Sequence, residues 1–346
     1  MKTNMLDLKT EIAVPRAGAA ANPTVIFEAL NRYQHTMAMK GAIDLELFTH
    51  IAAGAKTAAA IAQRCNAAER GVRVLCDFLT ILGFLTKSDG HYGLSAESAA
   101  FLDRNSPTYL GSAANFLVRP EALSHFRDVA AVVRKGGKLD VPQSTDGTWV
   151  EFARSMAPTM ALPAQLAASI IGQPERELKV LDIAAGHGLF GIRIAQRNPG
   201  AAIYALDSSD VLDIAVENAK RAGVQERFHR IPGDVFEVGL GDGYDLILLT
   251  NFIHMLDAAS IGVLLQRVRA SLKPGGQLAT VEFVPNDDRV SPPVAASFSM
   301  MMLTNTEQGD AYTLRELDRM FRAAGFGESR IHPLNPTAAS LILTQR

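Results

Sequence analysis

Residues 180–191 read VLDIAAGHGLFG. The apolar run LKVLDIA stops at small residues, and helical spacing begins at Leu189, so the stretch reads as a strand, a tight turn and a helix start. Gly186-His187-Gly188-Leu189-Phe190-Gly191 spells G-x-G-x-x-G, in which glycines let the backbone approach a ligand. An acid follows roughly 20 residues on, as that scheme requires. It is Asp207, at the end of a second strand, AIYALD, where it suits ribose hydroxyls. Loop and acid together define a nucleotide-type α/β unit. They do not choose between cofactors, because a nicotinamide dinucleotide and other adenosine-bearing ligands use the same physics.

Outward from this unit the alternation continues. A helix follows the glycine loop to Asn198-Pro199-Gly200, and another runs through VLDIAVENAKRAG. RFHRIPGD, YDLILLTN and GQLATVEFVP supply three further strands. ESRIHPLN and SLILTQR supply two more with no helix between them, so these pair as a hairpin or through a loop.

The first 105 or so residues have a different pattern. GAIDLELFTHIAAG has helical apolar spacing. TAAAIAQRCNAAERGVRVLCDFLTILGFL reads as helix, turn, helix, with Gly71 near the break and Gly83 at the end. LTKSDGHYGLS reads as a hairpin about Asp89-Gly90. Helix-turn-helix plus hairpin is a winged-helix pattern, used for DNA binding or for dimerisation. Arg64, Arg70 and Arg73 against Glu69 and Asp77 make a thin basic face, and a net charge of -2 gives no overall footprint for nucleic acid. Residues of about 106–165 read as helical connectors, with Trp149, Phe152, Met156 and Met160 on one face.

The 346 residues, 48% hydrophobic and 20% charged, supply core for two domains or for one with a large extension. Cys65 and Cys76 match no metal spacing, no metal is expected, and a reducing cytoplasm fits them better than a disulfide does. The opening MKTNMLDLKTEIAVPRAG has no apolar signal core. No uncharged run approaches the roughly 20 apolar residues of a membrane span, so no membrane association is expected.

Three features favour a methyl donor over a dinucleotide. Asp182 sits at the end of the first strand, where a carboxylate suits an ammonium-bearing ligand. GDVF places Asp234, followed by Val235 and Phe236, where it can accept from an adenine amino group. The terminal strand pair without a crossover helix makes a reversed sheet edge. With these residues the chain resembles the class I S-adenosylmethionine-dependent methyltransferases. More narrowly, it resembles the small-molecule O-methyltransferases of plant phenolic and bacterial natural-product type, over nearly its whole length.

The resemblance implies a Rossmann-like α/β catalytic domain over residues 166–346, a connector at 106–165 that contributes to the acceptor pocket, and a winged-helix-like dimerisation domain at 1–105. It implies S-adenosyl-L-methionine as cofactor, held by Asp182, Ala184, Gly186, Gly188, Asp207, Ser208, Asp234, Val235, Phe236 and Thr250, and a homodimer acting on a small molecule. The family loop D-x-G-G-G-x-G here carries alanine at 184 and 185 and His187 in place of a usual threonine. Alanine is small but less tolerant of positive φ. His187 either bonds the donor or has only a packing or solvent role.

NFIHMLD resembles the segment that carries the family's catalytic base, at His254, and Glu282 in VEFVP matches the acid that orients it. A neutral imidazole can take a hydroxyl proton, and a carboxylate on its other nitrogen fixes the tautomer. The family's second glutamate falls in NTEQGDAYT. Depending on where a gap is placed, Asp310 or Ala311 occupies its position. Either Asp310 substitutes with a shorter reach or the function is absent. Phe152, Met156, Met301, Met302 and Asn305 match acceptor-lining segments. Three consecutive methionines from Met300 cannot share one helix face, so at least one belongs to the core. The expected activity is O-methylation. The alternatives are S-methylation of a small thiol or thioether, and a DNA-binding regulator that senses S-adenosylmethionine.

Overall fold

The computed structural model describes residues 21–139, 147–172 and 176–346. The reading of the first eighteen residues as lacking a signal core lies outside these. Two sheets form. The small one pairs β1 (Leu85–Ser88) with β2 (His91–Leu94). Between them Asp89 and Gly90 take φ of 48° and 75°, the tight hairpin that Asp-Gly favours.

The large sheet contains β3 (Leu178–Ile183), β4 (Ala201–Asp207), β5 (Phe228–Pro232), β6 (Tyr244–Thr250), β7 (Leu272–Glu282), β8 (Ser329–Pro333) and β9 (Ser340–Gln345). Their order is β5-β4-β3-β6-β7-β9-β8, with β9 antiparallel to both β7 and β8 and the other pairs parallel. This is the Rossmann-like sheet with a reversed terminal hairpin. The order reverses between β3 and β6, the switch point beyond whose carboxyl ends open α/β sheets bind ligands.

Both faces of the sheet are covered, which explains its near-continuous apolar strands. Val180, Ile203, Leu248 and Ala279 face helices Thr148–Ile171 and Leu189–Arg197. Leu181, Ile183, Ile247 and Leu249 face helices Ala258–Ser271 and Leu314–Ala323. Buried Ala164, Ala167 and Ala168 give the long helix a smooth surface toward the sheet. That helix, Thr148–Ile171, runs across residue 165, where the sequence reading sets the connector's boundary.

The N-terminal region has its own core around Phe48, Leu47, Ile61 and Leu79. Two local readings are corrected. Gly71 lies inside helix Glu69–Ile81, and the break falls at Asn66, whose φ of 49° supplies the left-handed residue. The GAIDLELFTHIAAG helix is interrupted at Leu45–Glu46, with Glu46 at φ 50°. Gly83, at φ 81°, does follow the second helix as expected.

Candidate active site

The carboxyl ends of β3, β4, β6 and β7 bring Asp182, Asp207, Thr250 and Glu282 to one edge of the sheet. After β3 the chain turns through Ala184, Gly186 and Gly188 at φ of 52°, 56° and 72°. Ala184 therefore adopts the conformation alanine resists, at a cost of about 1–2 kcal/mol. Ala185 instead donates its amide to the Leu206 carbonyl at 3.1 Å. A Cβ on Gly188 would lie 3.0 Å from the Ala215 Cβ, and one on Gly191 would lie 2.6 Å from Ile203 and 2.9 Å from the Asp182 carboxylate. The last two glycines thus let the helix sit against sheet and neighbour.

Asp182 is fully buried. One carboxylate oxygen accepts the Gly191 amide at 3.2 Å, and the other is buried without a partner. Burial pushes its carboxyl up to about 7, with the Gly191 amide opposing and Asp207 adding to the rise. Asp207 accepts the Gly186 amide at 2.9 Å and the Ser208 amide at 2.7 Å. Burial still raises its carboxyl above the usual range, against those two bonds. Asp234 is exposed and caps the Phe236 amide at 2.7 Å, while Val235 is buried. Arg267, which sequence reading missed, donates to the Phe236 carbonyl at 2.9 Å and also to the Val238 carbonyl.

His187 turns inward. Its Nδ1 accepts the Leu189 amide at 3.2 Å, Asn218 holds its carbonyl at 2.9 Å, and burial lowers its imidazole to about 4. The buried ring thus caps the start of the helix that follows the loop.

After β6 the chain leaves through Asn251 at φ 51° into the 3-10 turn Ile253–Met255. His254 is buried, and its Nδ1 lies 2.6 Å from Glu282 Oε2. Glu282 Oε1 accepts the Phe252 amide at 3.0 Å and the His254 amide at 3.4 Å. The carboxylate therefore grips ring and backbone together. An acceptor at Nδ1 places the ring proton there and leaves Nε2 with a lone pair.

Asp310 does not join this pair. Arg289 holds its carboxylate at 2.9 Å, and its other oxygen accepts the Ala311 amide at 2.8 Å. Ala311 is buried. The expectation that Asp310 stands in beside His254 is thus not met in this geometry, because the side chain turns to the opposite charge.

Two walls flank the turn. Asn251 Nδ2 meets Met160 Sδ at 3.4 Å, and one helical face from there carries Met156 and Phe152. Phe152 packs edge-on to Phe116, centroids 5.0 Å apart. On the other side His254 stands edge-on to Phe298 at 4.9 Å, and Phe298 lies against Phe283 at 4.5 Å. Helix Pro293–Asn305 carries Phe298 and Met301 to Asn305, whose Oδ1 is 2.6 Å from His125 Nδ1. Met302 is buried and Met301 is 37% exposed, so Met302 is the core methionine. Phe298, Phe283 and His125 escaped sequence reading. For Phe298 the helical step of three back from Met301 was a usable signal.

The seven-stranded sheet with a reversed edge, a bipartite glycine loop and a helical N-terminal unit is a methyltransferase architecture. Comparison with known proteins is specific. The family model of the O-methyltransferase domain matches residues 151–327, and that of the O-methyltransferase dimerisation domain matches residues 27–104. A candidate O-methyltransferase of Nostoc punctiforme PCC 73102 superposes with a TM-score of 0.91 at 44% identity, over 95% of this chain and all of that one. Human N-acetylserotonin methyltransferase, in complex with S-adenosylmethionine, shares the fold at 21% identity and a TM-score of 0.83, over 96% and 99% of the two chains. A 3-hydroxy-5-methyl-1-naphthoate 3-O-methyltransferase of Streptomyces sahachiroi is 29% identical over 89% of this chain and 90% of its own length. The chain belongs to the O-methyltransferase family and is a methyltransferase.

Proposed function

We propose that this chain is a homodimeric, cytoplasmic S-adenosyl-L-methionine-dependent O-methyltransferase that acts on a small-molecule hydroxyl with His254 as general base. The observation that carries the reading is the His254–Glu282 pair at the sheet's carboxyl edge, beside the donor loop. Relatives named for S-adenosylmethionine and for naphthoate methylation support the natural-product class.

The residues present fit the donor. Asp182 offers a desolvated carboxylate with one unpartnered oxygen to an ammonium, Asp207 suits ribose hydroxyls, and Asp234 suits an adenine amine. The glycine turn, Ser208, Val235, Phe236 and Thr250 complete the cradle. When bound, S-adenosyl-L-methionine supplies an electrophilic methyl group. The chain's own work is to align the acceptor oxygen and take its proton at His254 Nε2, while Glu282 stabilises the imidazolium formed. Phe152, Met156, Met301 and Asn305 are proposed to line the acceptor space, with Met302 supporting that wall from the core.

The DNA-binding alternative is weakened by charge pairing. Asp77 binds Arg73 at 2.9 Å, and also Lys87 and Tyr92, so part of the thin basic face is neutralised. Homodimerisation draws support from the matched dimerisation domain and from exposed Val25, Ile26, Phe27 and Leu30. Cys65 and Cys76 are free cysteines. Among the described residues no helix is long and apolar enough to cross a membrane, and no cluster suits a metal.

The test is a screen of hydroxyl and thiol acceptors with S-adenosylhomocysteine release as readout. Turnover on hydroxyls that is lost in His254→Ala is expected. Turnover confined to thiols would replace the reading with S-methylation.

A further inference from the structure

Glu282 secures His254 from the sheet side. The opposite side of the same turn is secured by a segment with no acid on the ring. Within residues 306–313, Gly309 and Tyr312 meet the main chain of the Ile253–Met255 turn and of Leu256 after it. A Cβ on Gly309 would lie 2.2 Å from the His254 carbonyl oxygen and 3.1 Å from the Met255 carbonyl carbon. Three residues on, the Tyr312 hydroxyl donates to the Leu256 carbonyl at 2.7 Å. Leu256 is the residue that closes the turn, its amide bonded to the Ile253 carbonyl at 3.0 Å.

This segment is itself fixed at both ends. Thr306 Oγ1 donates to the Met302 carbonyl at 2.7 Å and accepts the Gly309 amide at 2.8 Å. At the other end Thr313 and Glu316 form a capping box for helix Leu314–Ala323. Arg289 spans Asp310 and Glu316, tying the capped helix end to the loop after β7. Burial opposes ionisation of Glu316, but the Thr313 amide and the Arg289 guanidinium outweigh it and hold its carboxyl below the usual range. Tyr312 thus hangs from a braced frame, and its hydroxyl contacts the turn that carries the base.

We propose that Tyr312 is a positioning residue for His254, and that its hydroxyl bond to the Leu256 carbonyl, with the Gly309 seam, holds the turn that carries the imidazole. The inference rests on the reading of His254 as base. A buried ring on a one-turn 3-10 segment has few backbone bonds of its own, so tilting of the turn swings Nδ1 off Glu282. Misplacement by about an ångström is enough to lose large factors in rate.

Three measurements on Tyr312→Phe decide the matter. The first is the downfield proton of the short His254–Glu282 hydrogen bond, identified by its loss in His254→Ala. Its exchange with solvent is expected to rise at least about fivefold in Tyr312→Phe, with no acceptor needed. The second is turnover, expected to fall about 5–30-fold with the acceptor KM little changed. The third is S-adenosylhomocysteine affinity, expected to stay within about twofold, since no donor contact is altered. Gly309→Ala, which adds a methyl and removes no polar group, should reproduce the proton effect by pushing on the His254 carbonyl. An unchanged proton in Tyr312→Phe overturns the inference, whatever happens to turnover. Full turnover of His254→Ala overturns the reading of the base instead, and the proton measurement still reports separately whether Tyr312 holds the ring.

Discussion

Two turns leave the same edge of the sheet and are held in opposite ways. After β3, backbone conformation does most of the work. Ala184, Gly186 and Gly188 are left-handed, Asp207 accepts the Gly186 amide and Asp182 the Gly191 amide, all within the loop's own α/β unit. After β6, side chains and distant main chain do it. Glu282 reaches from the neighbouring strand, Phe298 from a later helix, and Tyr312 from 56 residues beyond its partner. A ligand-binding loop must offer a constant surface, which local geometry can supply. A residue proposed as base must be held at one angle while its charge changes, which calls for contacts from several directions.

The largest expected effect separates the two turns. His254→Ala should lower turnover about 10²–10⁴-fold with S-adenosylhomocysteine affinity nearly unchanged, as steady-state kinetics and calorimetry would read. Glu282→Gln should cost less, since the amide orients the ring but does not stabilise imidazolium. Equal loss of donor affinity in His254→Ala would erase the division of labour. Asp207→Ala should do the reverse and weaken S-adenosylhomocysteine by about 1.5–3 kcal/mol, because ribose loses a charged acceptor and the Gly186 amide loses its partner.

The third prediction follows from Asp182. Its folded carboxyl titrates near 7 against an ordinary value of 3.8, so the native state holds a proton that the unfolded chain has released. The Asp182 contribution to stability should therefore be greatest at the acid end of that window and decline as pH rises toward 7, while the His187 ring, lowered to about 4 from 6.5, contributes the opposite trend over the lower part of it. The decline is at most about 1.4 kcal/mol per pH unit from this group. Urea titrations between about pH 5 and 7 should show wild-type stability falling relative to that of Asp182→Asn as pH rises. Parallel profiles for mutant and wild type would assign the burial cost elsewhere. The smallest effect concerns Asp310→Asn. Its bond to Arg289 is partly exposed, and Glu316 still holds that guanidinium, so turnover should change less than about threefold. A loss of the His254→Ala size would place Asp310 in the proton transfer after all.

What the sequence made legible follows the same division. The glycine loop, the acid ending β4, the apolar strands and the reversed terminal pair are local patterns, and each lies where the spacing put it. His254 and Glu282 were found through resemblance, and the 2.6 Å contact brings them together. Arg289, Gly309 and Tyr312 left no trace, because they act on backbone oxygens or on charges far away in the chain. Asp310 and Ala311 could not be told apart while the gap was free, and Arg289 is the partner that turns Asp310 away. Glycine is the expected helix breaker, which points to Gly71, but Asn66 holds the left-handed angle and Gly71 lies in the helix.

Helix Thr24–Asn31 has a property that no comparison of turns touches. It is eight residues long and none of them is buried. It runs on through Arg32, helical at φ −60°, into helix Tyr33–Asp44, so one end is anchored while its own turns gain nothing from packing, and short helical stretches without packing are marginal in water. A cover over exposed Val25, Ile26, Phe27 and Leu30 would supply what is missing. If that cover is a second chain, winding of the segment obeys mass action. Dilution should then melt the amino terminus first, while the sheet that holds both turns stays folded.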